Sequence, residues 1–202
     1  MPRNPRGSTE GELILLPEDP HEMTGIGPVG QPADPEELFG PGYRTWQRYY
    51  TAYHQLLPAA VWAALLMGRA VIPLNRFKQP FVKWKPYQTY PPATEQILAW
   101  QCHFHPPAWA VVTGRQYRFF VLDFDGTRGC ETMETLGLQP HLRTGSGGYH
   151  IHLTYPNDLD VRTWNGKAAP FLDAILPGVD IKGNGGYAVF AGTSVLSLKY
   201  VE

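Results

Sequence analysis

Two periodicities divide the chain. From Thr45 to Leu57 apolar residues recur at helical spacing (Trp46, Tyr49, Tyr50, Tyr53, Leu56, Leu57), and Pro58 opens a second helical stretch, Ala59 to Met67, that Gly68 closes. Ala70 to Leu74 and Trp109 to Thr113 are short apolar runs that read as strands. Between them lie a polar loop from Asn75 to Pro92 and a helix with Thr94 as its expected N-cap, running to about His103 over Ile97, Leu98 and Trp100. Further on, the pattern alternates. Phe120, Leu122 and Phe124 take one face of a strand and Val121, Asp123 and Asp125 the other. Tyr149, Ile151, Leu153 and Tyr155 oppose His150, His152 and Thr154, and Val179 and Ile181 oppose Asp180 and Lys182. Cys130–Leu136 reads as a short helix, His141–Thr144 as a short strand, residues 168–176 as a helical segment and Tyr187–Ala191 as a last strand.

Each alternating strand thus offers an apolar face to a core and a chemically loaded face to something else. Asp123 and Asp125, about 7 Å apart along one strand face, repel each other unless a cation lies between them. Magnesium and manganese, hard ions that prefer oxygen, suit that place. If the loaded faces converge, Asp123, Asp125 and Asp180 meet Arg143, Ser146, His150, His152 and Lys182. A metal-bound polyphosphate needs that combination: carboxylates for the ions, cations and donors for the remaining phosphate oxygens, and glycines that let the backbone approach.

Composition narrows the setting. A chain of 202 residues with 43% hydrophobic and 17% charged residues can bury one sizeable core or two small modules sharing a cleft. Its net charge of -1 excludes a surface coated in basic charge, so a nucleic acid must be held by a local patch. The best such patch is the 75–92 loop, which interleaves Arg76, Lys78, Lys83 and Lys85 with Phe77, Phe81, Trp84, Tyr87 and Tyr90. The competing reading folds those rings onto the core with the lysines reaching outward. Residues 1–42 form an acidic, Pro- and Gly-rich irregular arm, without Lys or Arg after Arg6. Two cysteines, no signal-like start and no apolar run of membrane length indicate a soluble, cytoplasmic protein that does not contact membranes. Cys102, His103, His105 and Cys130 fit no standard zinc spacing.

The order Lys78-Gln79-Pro80 with Trp84, Leu122-Asp123-Phe124-Asp125, Thr144-Gly145-Ser146-Gly147-Gly148-Tyr149-His150, then Val179-Asp180-Ile181-Lys182 before Gly185-Gly186-Tyr187, resembles the primase-polymerase domain of the archaeo-eukaryotic primase superfamily. The likeness is to the bifunctional DNA primase/polymerase domains of plasmids, phages and mobile elements, and it covers roughly residues 58–194. It implies an α+β fold of two α/β modules, about 43–118 and 119–202, the second with an RRM-like mixed or antiparallel sheet and the active site in the cleft between them. It also implies a template-directed nucleotidyltransferase of a prokaryotic setting. Asp123, Asp125 and Asp180 would be catalytic ligands of two Mg2+ or Mn2+ ions. Arg143, Ser146, Gly147, His150 and Lys182 would bind the nucleotide, with Lys78, Lys83, Trp84, Lys85 and His152 near nucleotide or template. Its partners would be single-stranded DNA template, primer/template duplex, nucleoside or deoxynucleoside triphosphates, and a helicase acting in trans or from a further C-terminal region. The closing Gly192-Thr193-Ser194 departs from the family's Pro before Ser.

Two other readings compete. His150-Ile151-His152 spells the His-hydrophobic-His motif of rolling-circle nickases, whose tyrosine nucleophile is expected on a following helix. A non-catalytic single-strand-binding module would instead expose aromatic rings on the central strands.

Overall fold

The computed structural model describes residues 42–166 and 169–190, with the backbone of a short hairpin at 194–195 and 198–199. Residues 1–41 of the acidic arm, Ala168, Ala191, Gly192 and Thr193 lie outside the described residues.

Two antiparallel sheets and five helices carry the described chain, an α+β architecture. Helices α1 (Tyr43–Tyr53) and α2 (Ala59–Leu66) precede strand β1 (Val71–Leu74); α3 (Thr94–Phe104) precedes β2 (Ala108–Val112). The cap of α3 falls on Ala93, one residue before the expected Thr94, and makes no side-chain cap bond. β1, β2 and a late strand, β7 (Tyr187–Val189), form the first sheet in the order β1-β2-β7. Pro73 sits in β1, an edge strand, where its missing N–H costs no ladder bond.

The second sheet holds β3 (Phe119–Phe124), β4 (Leu142–Arg143), β5 (Tyr149–Thr154) and β6 (Val179–Lys182), in the order β4-β5-β3-β6. Helix α4 (Gly126–Thr135) follows β3 and α5 (Pro170–Ile175) precedes β6. The sequence β3-α4-β4-β5-α5-β6 with that strand order is a βαββαβ arrangement. Helix α4 begins four residues before the expected Cys130, because the chain turns into it directly at Gly126, whose φ is +64°.

One face of β3 behaves as the alternation requires. Phe124, with Leu122 beside it, packs on Met133 of α4, Ile151 and Val179. The opposite face begins as core: Phe119 and Val121 join Trp46, Trp62, Ile97, Trp100 and Trp109 from the helices and first sheet. Leu142 of the second sheet enters a further cluster with Ile72, Leu74, Ala110 and Val112 of the first. Apolar contacts thus tie the sheets together, and this second face of β3 passes from core to chemistry between Val121 and Asp123.

His152 illustrates the boundary. Its ring lies among Phe119, His141 and His150, and Nε2 is buried without a hydrogen-bond partner. Burial first, then the charges of Arg69, His150 and His141, push its pKa from 6.5 down to about 3. Folding therefore holds the imidazole neutral, while the unfolded chain takes up a proton as pH falls through 6.5. The resulting stability is whole above that value and is lost progressively toward pH 3, by roughly 3 kcal/mol at pH 4. Denaturant titrations at pH 7 and pH 4 should show this loss in the wild type and a smaller one in His152→Gln; equal losses would contradict it.

Candidate active site

Strand register assembles the site. Asp123 pairs with His150 across β3 and β5 and with Asp180 across β3 and β6, so the three side chains form one row on one sheet face. The next row is His152, Val121 and Lys182. Asp125, the N-cap residue of α4, extends the acidic row past the end of β3. Its side chain makes no cap bond, and its backbone N–H donates to the Gly178 carbonyl at 2.9 Å. That bond depends on close approach: a Cβ on Gly129 would lie 2.7 Å from the Gly178 oxygen and 2.8 Å from the Phe124 carbonyl carbon. Gly129 lets α4 close onto the β3 and β6 ends, bringing Asp125 beside Asp180.

Asp123, Asp125 and Asp180 each present a carboxylate oxygen, all within 4.8 Å of one another. Cationic and donor groups hold two of the three. His150 Nε2 lies 3.1 Å from Asp123 Oδ1, a buried oxygen. Lys182 Nζ donates to Asp180 Oδ2 at 2.8 Å and stands 3.8 Å from Asp123 Oδ2. Gly166 N–H donates to Asp180 Oδ1 at 2.8 Å and the Asn165 amide to Oδ2 at 3.2 Å. Burial alone would raise the Asp123 carboxyl, but the imidazole of His150 with the charges of Lys182 and Lys78 brings it below the usual carboxylate range. Asp125 moves the other way, raised by burial and by the neighbouring Asp123 and Asp180 charges. Hard oxygen donors at this spacing, one of them buried, fit divalent cations. Beside them opens a cavity of about 690 Å³ lined by Asp125, Thr127, Arg128, Asn165, Asp173 and Asp180, among others.

The expected nucleotide residues divide. His150 is buried in the acidic row. Ser146 and Gly147 lie exposed on the turn between β4 and β5, where Thr144 Oγ1 accepts the Gly148 N–H at 2.9 Å and lies 3.1 Å from Ser146 Oγ. Arg143 is not brought to the carboxylates: it pairs with Tyr149 and so lies on the opposite sheet face. His152 lies one row further along, paired with Val121, with its Nε2 buried and without a hydrogen-bond partner.

On the 75–92 loop, Lys78 is exposed and close enough for its charge to lower both Asp123 and Asp125. The Tyr187 hydroxyl donates to its carbonyl at 3.0 Å. Trp84 packs edge-on against Tyr187, while Lys83, Lys85, Phe77 and Tyr90 are exposed. Part of this loop thus folds its rings inward with its lysines outward, as the competing reading has it. The site residues that sequence reasoning missed are Asn165 and Gly166, whose Asn-Gly pair was legible only as a turn signal.

The nickase reading loses its footing. Nε2 of His152 is buried without a hydrogen-bond partner, and α5, Pro170–Ile175, contains no tyrosine. A stacking module is equally disfavoured, because the central strands β3 and β5 carry Asp123 and His150 on the face in question. Among the described residues no helix is long and apolar enough to cross a membrane. Residues 60–200 match the family described as bifunctional DNA primase/polymerase, N-terminal. No curated protein matches the chain.

Proposed function

From the premise that this chain belongs to the bifunctional DNA primase/polymerase family, whose substrates are DNA and nucleotides, we propose that it is a template-directed nucleotidyltransferase that joins nucleoside triphosphates with release of pyrophosphate. The observation that carries the reading is the acidic row: three carboxylates within 4.8 Å, flanked by His150 and Lys182. Two Mg2+ or Mn2+ ions, when bound, would activate a 3′-hydroxyl and neutralise the departing pyrophosphate. Asp123, Asp125 and Asp180 hold them, with Asn165 and Gly166 fixing the orientation of Asp180.

His150, Ser146, the Gly147 backbone and Lys182 bind the triphosphate. Arg143 is confined to a phosphate that passes the sheet edge. Lys78, Lys83, Lys85 and Trp84 line the approach of nucleotide or template, where cations neutralise the backbone and rings stack on unpaired bases. His150→Ala should raise the KM for nucleotide roughly 10-fold or more, the loss expected for a charge-assisted contact. Unchanged KM and kcat would contradict that assignment.

Incubation with single-stranded DNA, with and without a primer, labelled nucleotides and either Mg2+ or Mn2+ tests the activity. Products longer than one nucleotide without primer establish priming, and extension from a primer alone restricts the enzyme to polymerisation. No incorporation with either ion, or a nicked strand covalently attached to the protein, would overturn the reading.

A further inference from the structure

Lys182 ends β6 on the acidic face, and its ammonium sits between two of the proposed ion ligands: 2.8 Å from Asp180 Oδ2 and 3.8 Å from Asp123 Oδ2. All three side chains are largely withdrawn from water, at 20% exposure for Lys182, 16% for Asp123 and 17% for Asp180. Solvent therefore screens the grouping poorly, and its charges must be balanced from within. The ammonium does this for Asp180 and Asp123. A divalent ion on the same two carboxylates would meet the ammonium at close range, and two cations there repel strongly.

We propose that Lys182 is an exchangeable counterion that couples ion binding to nucleotide binding. In the ion-free protein it neutralises Asp180 and Asp123; as ions take those carboxylates, its ammonium passes to the triphosphate arriving beside them. Lysine suits this exchange. Its charge is compact, its donors rotate, and its four-carbon stem moves the ammonium several ångströms without backbone change. The inference rests on the metal reading above and goes beyond it, because a residue that only bound phosphate would leave ion affinity untouched.

One substitution should then have opposite effects on two ligands. Calorimetric titration of the full chain with Mn2+ alone should show tighter binding to Lys182→Met than to wild type, by about tenfold, because a repelling charge is gone. At saturating Mn2+, dATP should bind the same variant about tenfold more weakly. Lys182→Gln serves equally if the Met variant does not fold. Unchanged or weaker Mn2+ binding in a folded variant would overturn the exchange, as would loss of folding in both, which would make the ammonium a structural counterion. Absence of Mn2+ binding in the wild type and in both variants would instead refute the metal reading itself, and the exchange with it.

Discussion

Asp123→Ala abolishes metal-dependent nucleotide incorporation, lowering it by about 10³-fold or more, while the protein stays folded. Asp123 is the middle of the row, paired across the strands with His150 on one side and Asp180 on the other. It faces both Nε2 of His150 and Nζ of Lys182. Removing it takes away a ligand shared by the proposed ions and leaves the Lys182 ammonium facing less negative charge. Preorganised charge of this kind is worth two to three orders of magnitude even when a single donor is lost. The apolar contacts of β3 are made by Phe119, Val121 and Phe124, which the substitution leaves in place. Primer extension together with circular dichroism checks the result: retained extension by a folded variant would refute the metal role, and an unfolded variant would show that the carboxylate is structural.

Gly148→Ala has the second large effect, on stability and nucleotide binding together. Gly148 lies where the turn after β4 re-enters the sheet, and an added Cβ would run into the Phe124 carbonyl oxygen and stand 3.2 Å from Thr144 Oγ1. The first of these is backbone at the β3–α4 junction, next to Asp125, so no flexible side chain can yield. Relief requires the turn to lift off β3, breaking the Gly148 N–H to Thr144 Oγ1 bond and displacing Ser146 and Gly147. Overpacking against backbone costs about 2–4 kcal/mol, which lowers the melting temperature by roughly 6–12 °C for a chain of this size. A raised KM for nucleotide should accompany the loss, measured below the new melting point. A melting temperature within a degree or two of wild type would show that the turn has room the structure denies it.

What could be read from the sequence follows from which interactions are local. Alternation placed Asp123, Asp180, His150 and Lys182 on loaded strand faces, because side chains on a strand alternate whatever its partner. Their meeting in one row depends on register, which the apolar face enforces: a one-residue slip would bury Asp123 and expose Phe124. The face of Arg143 was hidden for the same reason. It lies on a two-residue edge strand whose register is set by pairing with Tyr149, a long-range fact that local pattern does not contain. The early start of α4 was hidden because Asp125-Gly126 reads equally as a turn or as an N-cap followed by a left-handed glycine. The grip of Asn165 and Gly166 on Asp180 joins loop to strand across 15 and 14 residues, and the return of β7 to pair with β2 joins two halves of the chain. No periodicity encodes either contact. His150 and His152 lie two residues apart on one face, and only register separates the one paired with Asp123 from the one paired with Val121 and packed beside Phe119.

The account stands on the three carboxylates acting together as an ion site. Crystals of the protein soaked with Mn2+ and a non-hydrolysable deoxynucleoside triphosphate, measured at the manganese absorption edge, test that most directly. The account predicts two anomalous peaks about 3.5–4 Å apart, bounded by Asp123, Asp125 and Asp180, with the triphosphate directed toward His150 and Lys182. Peaks located away from these carboxylates, or a triphosphate ordered elsewhere while the acidic row holds no manganese, would contradict it.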